Sequence, residues 1–249
     1  MAKQFIYPFT FGDKSKSDLL GGKGANLAEM VQMGLPVPPG FTITTDACRE
    51  FLTTGVVPAA LNEQIKTALA NLEKTVGKKF GDPTSPLLVS VRSGAKHSMP
   101  GMMETVLNVG ITPEVADAMA KTSGNEKFAQ DSYRRFIDMF GRIVCDLPDE
   151  VVHKVESIYL KKENVKVVAE LSAQSLKALA QELIQAIEQF TKKPFPTNPF
   201  DHLTQSIEAV FKSWNSERAQ LYRRRERIAS DLGTAVNIQS MVFGNLSDD

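Results

Sequence analysis

The feature that most constrains this chain is a glycine-containing loop between two short apolar runs, at positions 87–91 and 106–109. Both runs have the β-branched character typical of strands. Gly94 and Gly101 allow the loop backbone to approach an anion, and Arg92 at its start offers a planar fork of donors suited to phosphate. The stretch therefore predicts a phosphate-binding loop with Arg92 at a strand end. An ordinary hairpin with a surface arginine is the alternative.

A second glycine cluster, GGKGANLAEM at positions 21–30, surrounds Lys23 just before an apolar pattern of helical spacing. Lys23 is therefore expected at or near a helix N-terminus, where unpaired N–H groups favour an anion. The cluster is not a P-loop, because Ser17 and Gly24 occupy the positions that this motif reserves for glycine and for Ser or Thr. A glycine turn with a solvated lysine is the alternative.

Composition narrows the class of protein. Lys plus Arg and Asp plus Glu both number 29, so no strong field of one sign favours nucleic acid or a membrane surface as a partner. Cys48 and Cys145 lie far apart without metal-ligand spacing, which favours reduced thiols and a cytoplasmic location. No apolar run approaches the ~18 residues of a membrane span, so we expect a soluble protein.

The order of elements suggests an insertion. Up to Gly110 the patterns mix strands and helices, whereas from there to Lys193 they are helical. Because prolines mark both joints of the segment 112–197, it is predicted to be an inserted helical subdomain. Helix starts are expected at Thr112, Asn125, Asp149 and Ser172.

The remaining chain returns to mixed structure. Asp201 is expected to cap a helix that runs through Trp214, and a buried strand is expected to continue as far as Phe243. The helix between them is basic, and its arginines form either a patch for nucleic acid or a solvated face interleaved with glutamates. Those arginines are Arg223, Arg224, Arg225 and Arg227.

Four blocks of the sequence resemble the nucleotide-binding region of pyruvate phosphate dikinases. They are GGKGANLAEM at 21–30, SVRSGAKHSMPGMMET at 90–105, DSYRRFI at 131–137 and TAVNIQSMVFGN at 234–245. The resemblance covers essentially the whole chain, and its SMPGMM run is specific. Phosphoenolpyruvate synthases share the lysine block and the arginine but differ in the loop, so they are the weaker match.

The resemblance implies an α+β fold, the first lobe of an ATP-grasp nucleotide-binding domain with an inserted all-helical subdomain. Residues 1–111 and 198–243 would form the lobe, and 112–197 the insertion. Residues 244–249 would begin a second lobe that carries the acidic Mg²⁺ ligands, so no metal ligand is assigned here. A freestanding nucleotide-binding module is the competing hypothesis.

The resemblance also implies the chemistry. ATP would pass its β-phosphoryl group to a histidine on a swivelling domain and its γ-phosphate to inorganic phosphate, giving AMP and pyrophosphate. A pyruvate-binding barrel would then form phosphoenolpyruvate, in a full enzyme that is a homo-oligomer. Lys23 and Arg92 would be catalytic. The residues expected to bind the nucleotide are Ser93, Gly101, Met102, Met103 and Thr105 in the loop, with Gln239, Met241 and Val242 beside the adenine.

None of the histidines fits the role of phosphocarrier. The family carries its phosphoryl group on a histidine in a Thr/Ser-His motif that this chain lacks. His97 is therefore interpreted as a residue of the phosphate loop. His153 and His202 are expected at exposed positions on helices.

Overall fold

The computed structural model of the chain describes residues 3–243 and has a mixed α+β architecture. Its strands are β1 (Ile6–Pro8), β2 (Gly40–Ile43), β3 (Lys79–Phe80), β4 (Pro86–Leu87), β5 (Val89–Ala95), β6 (Thr105–Val109) and β7 (Thr234–Ser240). Its helices are α1 (Ser17–Gln32), α2 (Thr45–Thr54), α3 (Leu61–Val76), α4 (Pro113–Ser123), α5 (Glu126–Val144), α6 (Asp149–Glu163), α7 (Ala173–Thr191), α8 (Pro199–Ser213) and α9 (Glu217–Arg225).

The chain divides into two compact units. Unit 1 comprises the residues up to Lys78 together with Val89–Thr105 and Ile207–Val242. Unit 2 comprises Lys79–Leu88 and Val106–Ser206, and resumes at Phe243. Among the described residues, none of the helices combines the length and the apolar character that crossing a bilayer demands.

Unit 1 is built on an antiparallel sheet in which β1, β2, β7 and β5 are neighbours in that order. Ile238 of β7 lies opposite Phe41 of β2 on one side and Val91 of β5 on the other, and all three side chains are buried. Helices α1 and α2 pack on this sheet, and α3 packs beside β1. Every residue of β7 is buried, so this strand is the centre of the unit.

Unit 2 is mainly helical, with α5 packed against α4 and α7, and α6 packed against α7. Its core is apolar and includes Phe136, Ile137, Phe140, Leu176, Leu179 and Leu183. The charges of the DSYRRFI block lie at the edge of this core, where Arg134 pairs with Asp131 at 2.6 Å and with Asp138 at 3.5 Å. The position of that block is therefore explained by packing within unit 2.

The predicted helix starts of unit 2 are confirmed. The side chains of Thr112, Asn125 and Ser172 each accept a hydrogen bond from the backbone N–H three residues later, at 3.2, 2.9 and 3.2 Å. Helix α6 begins at Asp149, immediately after Pro148. The capped starts depend on hydrogen bonds between residues three positions apart, so a local sequence pattern is enough to predict them.

Three expectations about side chains and strand ends are wrong. Strand β5 continues past Arg92 to Ala95, because its pairing with β7 continues to the end of that strand, so Arg92 is not at a strand end. Strand β7 ends at Ser240 and not at Phe243, since its pairing with β2 stops at Gln239 and its pairing with β5 stops at Ser240. The Val242 side chain is 68% exposed.

The third wrong expectation concerns His202, which is only 3% exposed. Helix α8 begins at Pro199, ahead of the predicted cap Asp201, and its first turns place His202 in the core of unit 2. The imidazole packs at 5.0–5.4 Å, between ring centroids, against three aromatic rings, those of Phe136, Phe140 and Phe195. Its Nε2 lies 2.6 Å from the Pro196 carbonyl oxygen.

The arginine run on α9 does not form a continuous exposed patch. Arg223 is 3% exposed, and its guanidinium lies 4.1 Å from the ring centroid of Trp214. It also donates to the Trp214 carbonyl oxygen. Arg224, Arg225 and Arg227 are exposed, so the solvated-face interpretation holds for them and fails for Arg223.

Candidate functional site

The site is built where α1 approaches β5, and glycines make that approach possible. Helix α1 is interrupted at Gly21, whose φ of 66° and ψ of 167° are accessible essentially only to glycine. A Cβ at Gly21 would lie 1.5 Å from the Gly94 carbonyl oxygen, and a Cβ at Gly22 would lie 2.9 Å from that of Lys96. The helical segment that follows the break therefore starts directly against β5.

Lys23 lies in the first turn after this break, as predicted. Its half-buried ammonium group donates a hydrogen bond to the Ser93 carbonyl oxygen at 2.7 Å. Burial, and secondarily the positive charge of Arg92, lowers the pKa of Lys23 to about 8. A cation held in this state gains from the arrival of an anion, because the anion replaces the lost hydration and opposes the charge of Arg92.

Arg92 provides the second cation. It lies in β5 opposite Asn237 of β7, and within residues 3–243 its guanidinium pairs with no carboxylate. Because arginine stays protonated at any physiological pH, this charge is permanent, whereas the charge of Lys23 is adjustable. The two side chains together supply a point charge and a planar fork.

Both cations line one cleft of about 660 Å³. The described lining residues include no aspartate or glutamate, although Lys96 also lines the cleft and is paired with Asp18 at 2.5 Å. The structure brings six of the predicted site residues to this cleft: Lys23, Arg92, Ser93, Gly101, Met103 and Thr105.

The other predicted site residues lie elsewhere. Met102 packs against a cluster formed by Met99, Trp214 and Ala219. Gln239 is buried in β7, and its Nε2 donates to the Pro38 carbonyl oxygen at 3.1 Å. Met241 and Val242 follow the end of β7, outside the set of described residues that line the cleft.

The loop between β5 and β6 is anchored from α8 and α9. The Met99 side chain is buried with Trp214 and Ala219, and Met103 packs against the same cluster. At the end of the loop, the Glu104 N–H donates to Ser213 Oγ at 3.4 Å and the Glu104 carboxylate pairs with Arg218. The three methionines of the SMPGMM run, Met99, Met102 and Met103, therefore anchor the loop on the cluster that contains Trp214 and Ala219.

Sequence reasoning missed the contribution of α1 beyond Lys23. Asn26, Leu27 and Met30 also line the cleft. They lie three, four and seven residues after Lys23, so helical geometry places all four on one face. That spacing was the available signal, but an apolar pattern on a helix usually indicates core packing. Met30 is instead 40% exposed.

The described residues do not fit a Mg²⁺ site. No carboxylate lines the cleft, and residues 3–243 contain no group of three or more His, Cys, Asp or Glu side chains that could hold a metal ion. His97 is exposed on the loop, and His153 is exposed on α6 beside Glu156 at 3.2 Å. The chemistry that the cleft itself offers is recognition of a phosphate-type polyanion by two cations and glycine-rich backbone.

Comparison with known proteins agrees with this chemistry. Residues 17–57 and 52–247 match the family described as "Pyruvate phosphate dikinase, AMP/ATP-binding domain". The chain is 47% identical over 249 residues to "Pyruvate, phosphate dikinase" of Entamoeba histolytica, covering 99% of this chain and 28% of that protein. It is 46% identical over 247 residues to the protein of the same name from Clostridium symbiosum, covering 98% of this chain and 28% of that protein.

A third similar protein, "Pyruvate, phosphate dikinase" of Giardia intestinalis, is 46% identical over 232 residues, covering 93% of this chain and 26% of that protein. The chain thus spans 26–28% of the length of these relatives.

Proposed function

The chain belongs to the pyruvate phosphate dikinase family, in which it matches the AMP/ATP-binding domain, and we propose that its cleft binds the phosphates of ATP during phosphoryl transfer. The observation that carries this proposal is the pairing of Lys23 and Arg92 in a cleft whose described lining has no carboxylate. Two cations that share a cleft without a carboxylate among its described lining repel each other, and a polyphosphate offsets that repulsion.

In this proposal Lys23 and Arg92 are the catalytic residues. Phosphoryl transfer depends mainly on positioning and on neutralising charge, which a point charge and a planar fork provide. The phosphates contact Ser93 of β5, Gly101 and Met103 of the loop, and Thr105 at the start of β6. Met102 supports the loop through its packing against the Trp214 cluster. Adenine is proposed to lie beside Gln239, Met241 and Val242.

The fold proposal follows from the same family. Unit 1, with its antiparallel sheet, suits the first lobe of an ATP-grasp domain formed from residues 1–111 and 198–243. The helices of unit 2 suit an inserted subdomain at 112–197, and residues 244–249 would begin a second lobe. The described residues fit no Mg²⁺ site, so we propose that any ligands of Mg²⁺ come from outside residues 3–243.

The proposed reaction is that of the whole dikinase. The β-phosphoryl group of ATP passes to a histidine on a swivelling domain and the γ-phosphate to inorganic phosphate, with AMP and pyrophosphate as products. A pyruvate-binding barrel then forms phosphoenolpyruvate. A homo-oligomer in the cytoplasm is part of the proposal. The SMPGMM loop and the names of the relatives favour this reaction over that of a phosphoenolpyruvate synthase or a freestanding nucleotide-binding module.

The proposal is tested by measuring the formation of AMP and pyrophosphate by the protein that the complete gene encodes. Lys23→Ala and Arg92→Ala should each lower AMP formation by at least about 100-fold, since removing one stabiliser of transition-state charge costs that much. Lys74→Ala, which removes an exposed lysine of α3, is the matched control and should change little. Near-normal turnover in both cleft variants would refute the proposal. AMP formation that does not require inorganic phosphate would favour the synthase-like alternative.

A further inference from the structure

The Lys23 amine is a half-buried nitrogen of the cleft. Its Nζ donates to the Ser93 carbonyl oxygen at 2.7 Å, and no carboxylate among the described lining residues fixes it as an ammonium ion. Lys96 on the same cleft differs, because its ammonium group is paired with the Asp18 carboxylate at 2.5 Å. Of these two lysines, only Lys96 therefore has a carboxylate partner among the described residues.

A phosphate-binding group lies beside this amine. Arg92 lines the cleft close enough to Lys23 for its charge to affect the Lys23 amine, and it has no carboxylate partner within residues 3–243. Gly22 and Gly101 also line the cleft, and no atom lies within 4 Å of the Cβ position of Gly101, so the backbone there is open to a small dianion. A molecule with a phosphate at one end would therefore be held with its other end near Lys23 Nζ.

We infer that Lys23 is an acylation site for small acyl phosphates, which use the phosphate-binding cleft to deliver an acyl group to its amine. The phosphate of the reagent binds at Arg92 and the glycine backbone, and its carbonyl carbon faces Nζ. The inference extends the proposed function, because it gives the phosphate site a second class of ligand. Its regulatory consequence, loss of ATP use on acylation, rests on that function.

The acyl transfer needs no reactant other than the Lys23 amine and the acyl phosphate. The lone pair of the neutral Lys23 amine attacks the carbonyl carbon, and a C–N bond forms as the bond between that carbon and the bridging oxygen breaks. The phosphate leaves with the bridging oxygen and the electron pair of the broken bond. One amine proton ends on the phosphate, so the products are an amide and hydrogen phosphate. The amide has no positive charge, so the acylated side chain cannot neutralise phosphate charge as Lys23 is proposed to do.

The protonation state of Lys23 supports the geometry. With a pKa of about 8, about a tenth of Lys23 amines are neutral at pH 7. A lysine with the reference pKa is neutral in roughly one molecule in 2,500 at that pH. A phosphate bound at Arg92 favours the protonated amine, so it lowers the neutral fraction of Lys23 below its value in the free cleft. The rate advantage expected at Lys23 therefore comes mainly from holding the acyl group beside Nζ.

Competing acylation of the whole chain tests the inference. The chain is incubated at pH 7.5 with acetyl phosphate, and in parallel with the N-hydroxysuccinimide ester of acetic acid, which has no phosphate. Peptide mass spectrometry then gives the acetylation rate at Lys23 and at the exposed Lys74. With acetyl phosphate, Lys23 should react at least about tenfold faster than Lys74, because the cleft holds the reagent beside Nζ, and tripolyphosphate should abolish that preference.

A variant separates delivery by phosphate from simple reactivity. In Arg92→Gln, the ratio of the acetyl phosphate rate to the ester rate at Lys23 should fall at least about fivefold, whereas in Lys74→Gln it should not change. Equal rates at Lys23 and Lys74, or an unchanged ratio in a folded Arg92→Gln chain, would overturn the inference. The competition with tripolyphosphate uses the unmodified chain, so it tests the inference even if the Arg92→Gln chain does not fold. Because no nucleotide is used, failure here leaves the ATP proposal to be judged by AMP formation.

Discussion

At the scale of single residues, the site depends on the difference between its two cations. Arg92 is charged at every accessible pH, whereas Lys23 is held near the point at which it loses its proton. Burial at the start of a helix segment against β5 produces that state, and the charge of Arg92 strengthens it. The cleft therefore combines a permanent positive charge with a group whose charge responds to pH and to a nearby anion.

This difference predicts a pH dependence of polyanion binding. A lowered pKa means that Lys23 is charged below about 8 and loses its charge as pH rises through that value. The affinity of the chain for tripolyphosphate should therefore fall between pH 7 and pH 9, by up to about tenfold per pH unit. Lys23→Arg keeps its charge and is the matched control, since both proteins meet the same ligand at each pH. Calorimetry that gave parallel profiles for the two proteins would contradict the assignment.

At the scale of elements, the contact between α1 and β5 is fixed by glycine. Gly21 needs a positive φ and also lies where a Cβ would meet the Gly94 carbonyl oxygen, so two independent costs add at one position. Two other glycines, Gly22 and Gly34, each carry only one of these two costs. Gly34 has a φ of 75° and no atom within 4 Å of its Cβ position, whereas Gly22 has crowding at 2.9 Å without a positive φ.

The three alanine variants should therefore rank in a definite order. Gly34→Ala should lower the free energy of unfolding by about 1–2 kcal/mol, the cost of left-handed backbone. Gly22→Ala should cost about 1–3 kcal/mol from crowding, and Gly21→Ala more than either, at least about 4 kcal/mol. Urea unfolding followed by tryptophan fluorescence measures this, because the chain has one tryptophan and Trp214 lies in unit 1. A Gly21→Ala chain as stable as Gly34→Ala would contradict this account of the contact.

The same elements show what a sequence pattern can and cannot predict. The helix starts at Thr112, Asn125 and Ser172 were predictable because a cap and its N–H donor lie three residues apart. The extent of β5 was not, since it depends on pairing with β7, about 140 positions later in the sequence. His202 was misjudged for a similar reason, because its burial depends on aromatic rings from α5.

The candidate site follows the same rule. Lys23 and Arg92 were proposed from local glycine clusters, and the structure places both in one cleft. The role of Met102 in packing was not identifiable, because its partners Trp214 and Ala219 come from a distant part of the chain.

At the scale of the whole molecule, the residues proposed to contact adenine lie outside the lining of the proposed phosphate cleft. The described lining consists of cations, loop residues such as Met99 and Met103, and one face of α1, and it does not include Gln239, Met241 or Val242. The 249-residue chain should therefore bind ATP, GTP and tripolyphosphate with affinities within about threefold of one another, and all three should weaken as salt rises. Calorimetry at two salt concentrations measures both effects. Tight, adenine-specific binding would show that the three residues already form a base site in this chain.

The two compact units also differ in how acid should affect them. Unit 2 contains His202, whose pKa is lowered chiefly by burial, so the folded unit keeps this imidazole neutral. Below the unfolded value of 6.5, the unfolded chain binds a proton that the folded unit excludes. The stability from the neutral imidazole is therefore fully present above that pH and is lost as pH falls through the lowered folded value. The slope contributed by one group is at most about 1.4 kcal/mol per pH unit.

Hydrogen exchange at pH 7.0, 6.0 and 5.0, corrected for the intrinsic exchange rate, separates the two units. In the native chain, protection of the buried amides of α5 and α7 should fall with pH, whereas that of β7 in unit 1 should change less. His202→Gln is the matched variant, since an uncharged amide can still donate to the Pro196 carbonyl oxygen without titrating. Its unit 2 should start less stable and lose less protection with acid. If α5, α7 and β7 lost protection together in both proteins, the units would open as one cooperative structure and His202 would not be the group that responds to acid.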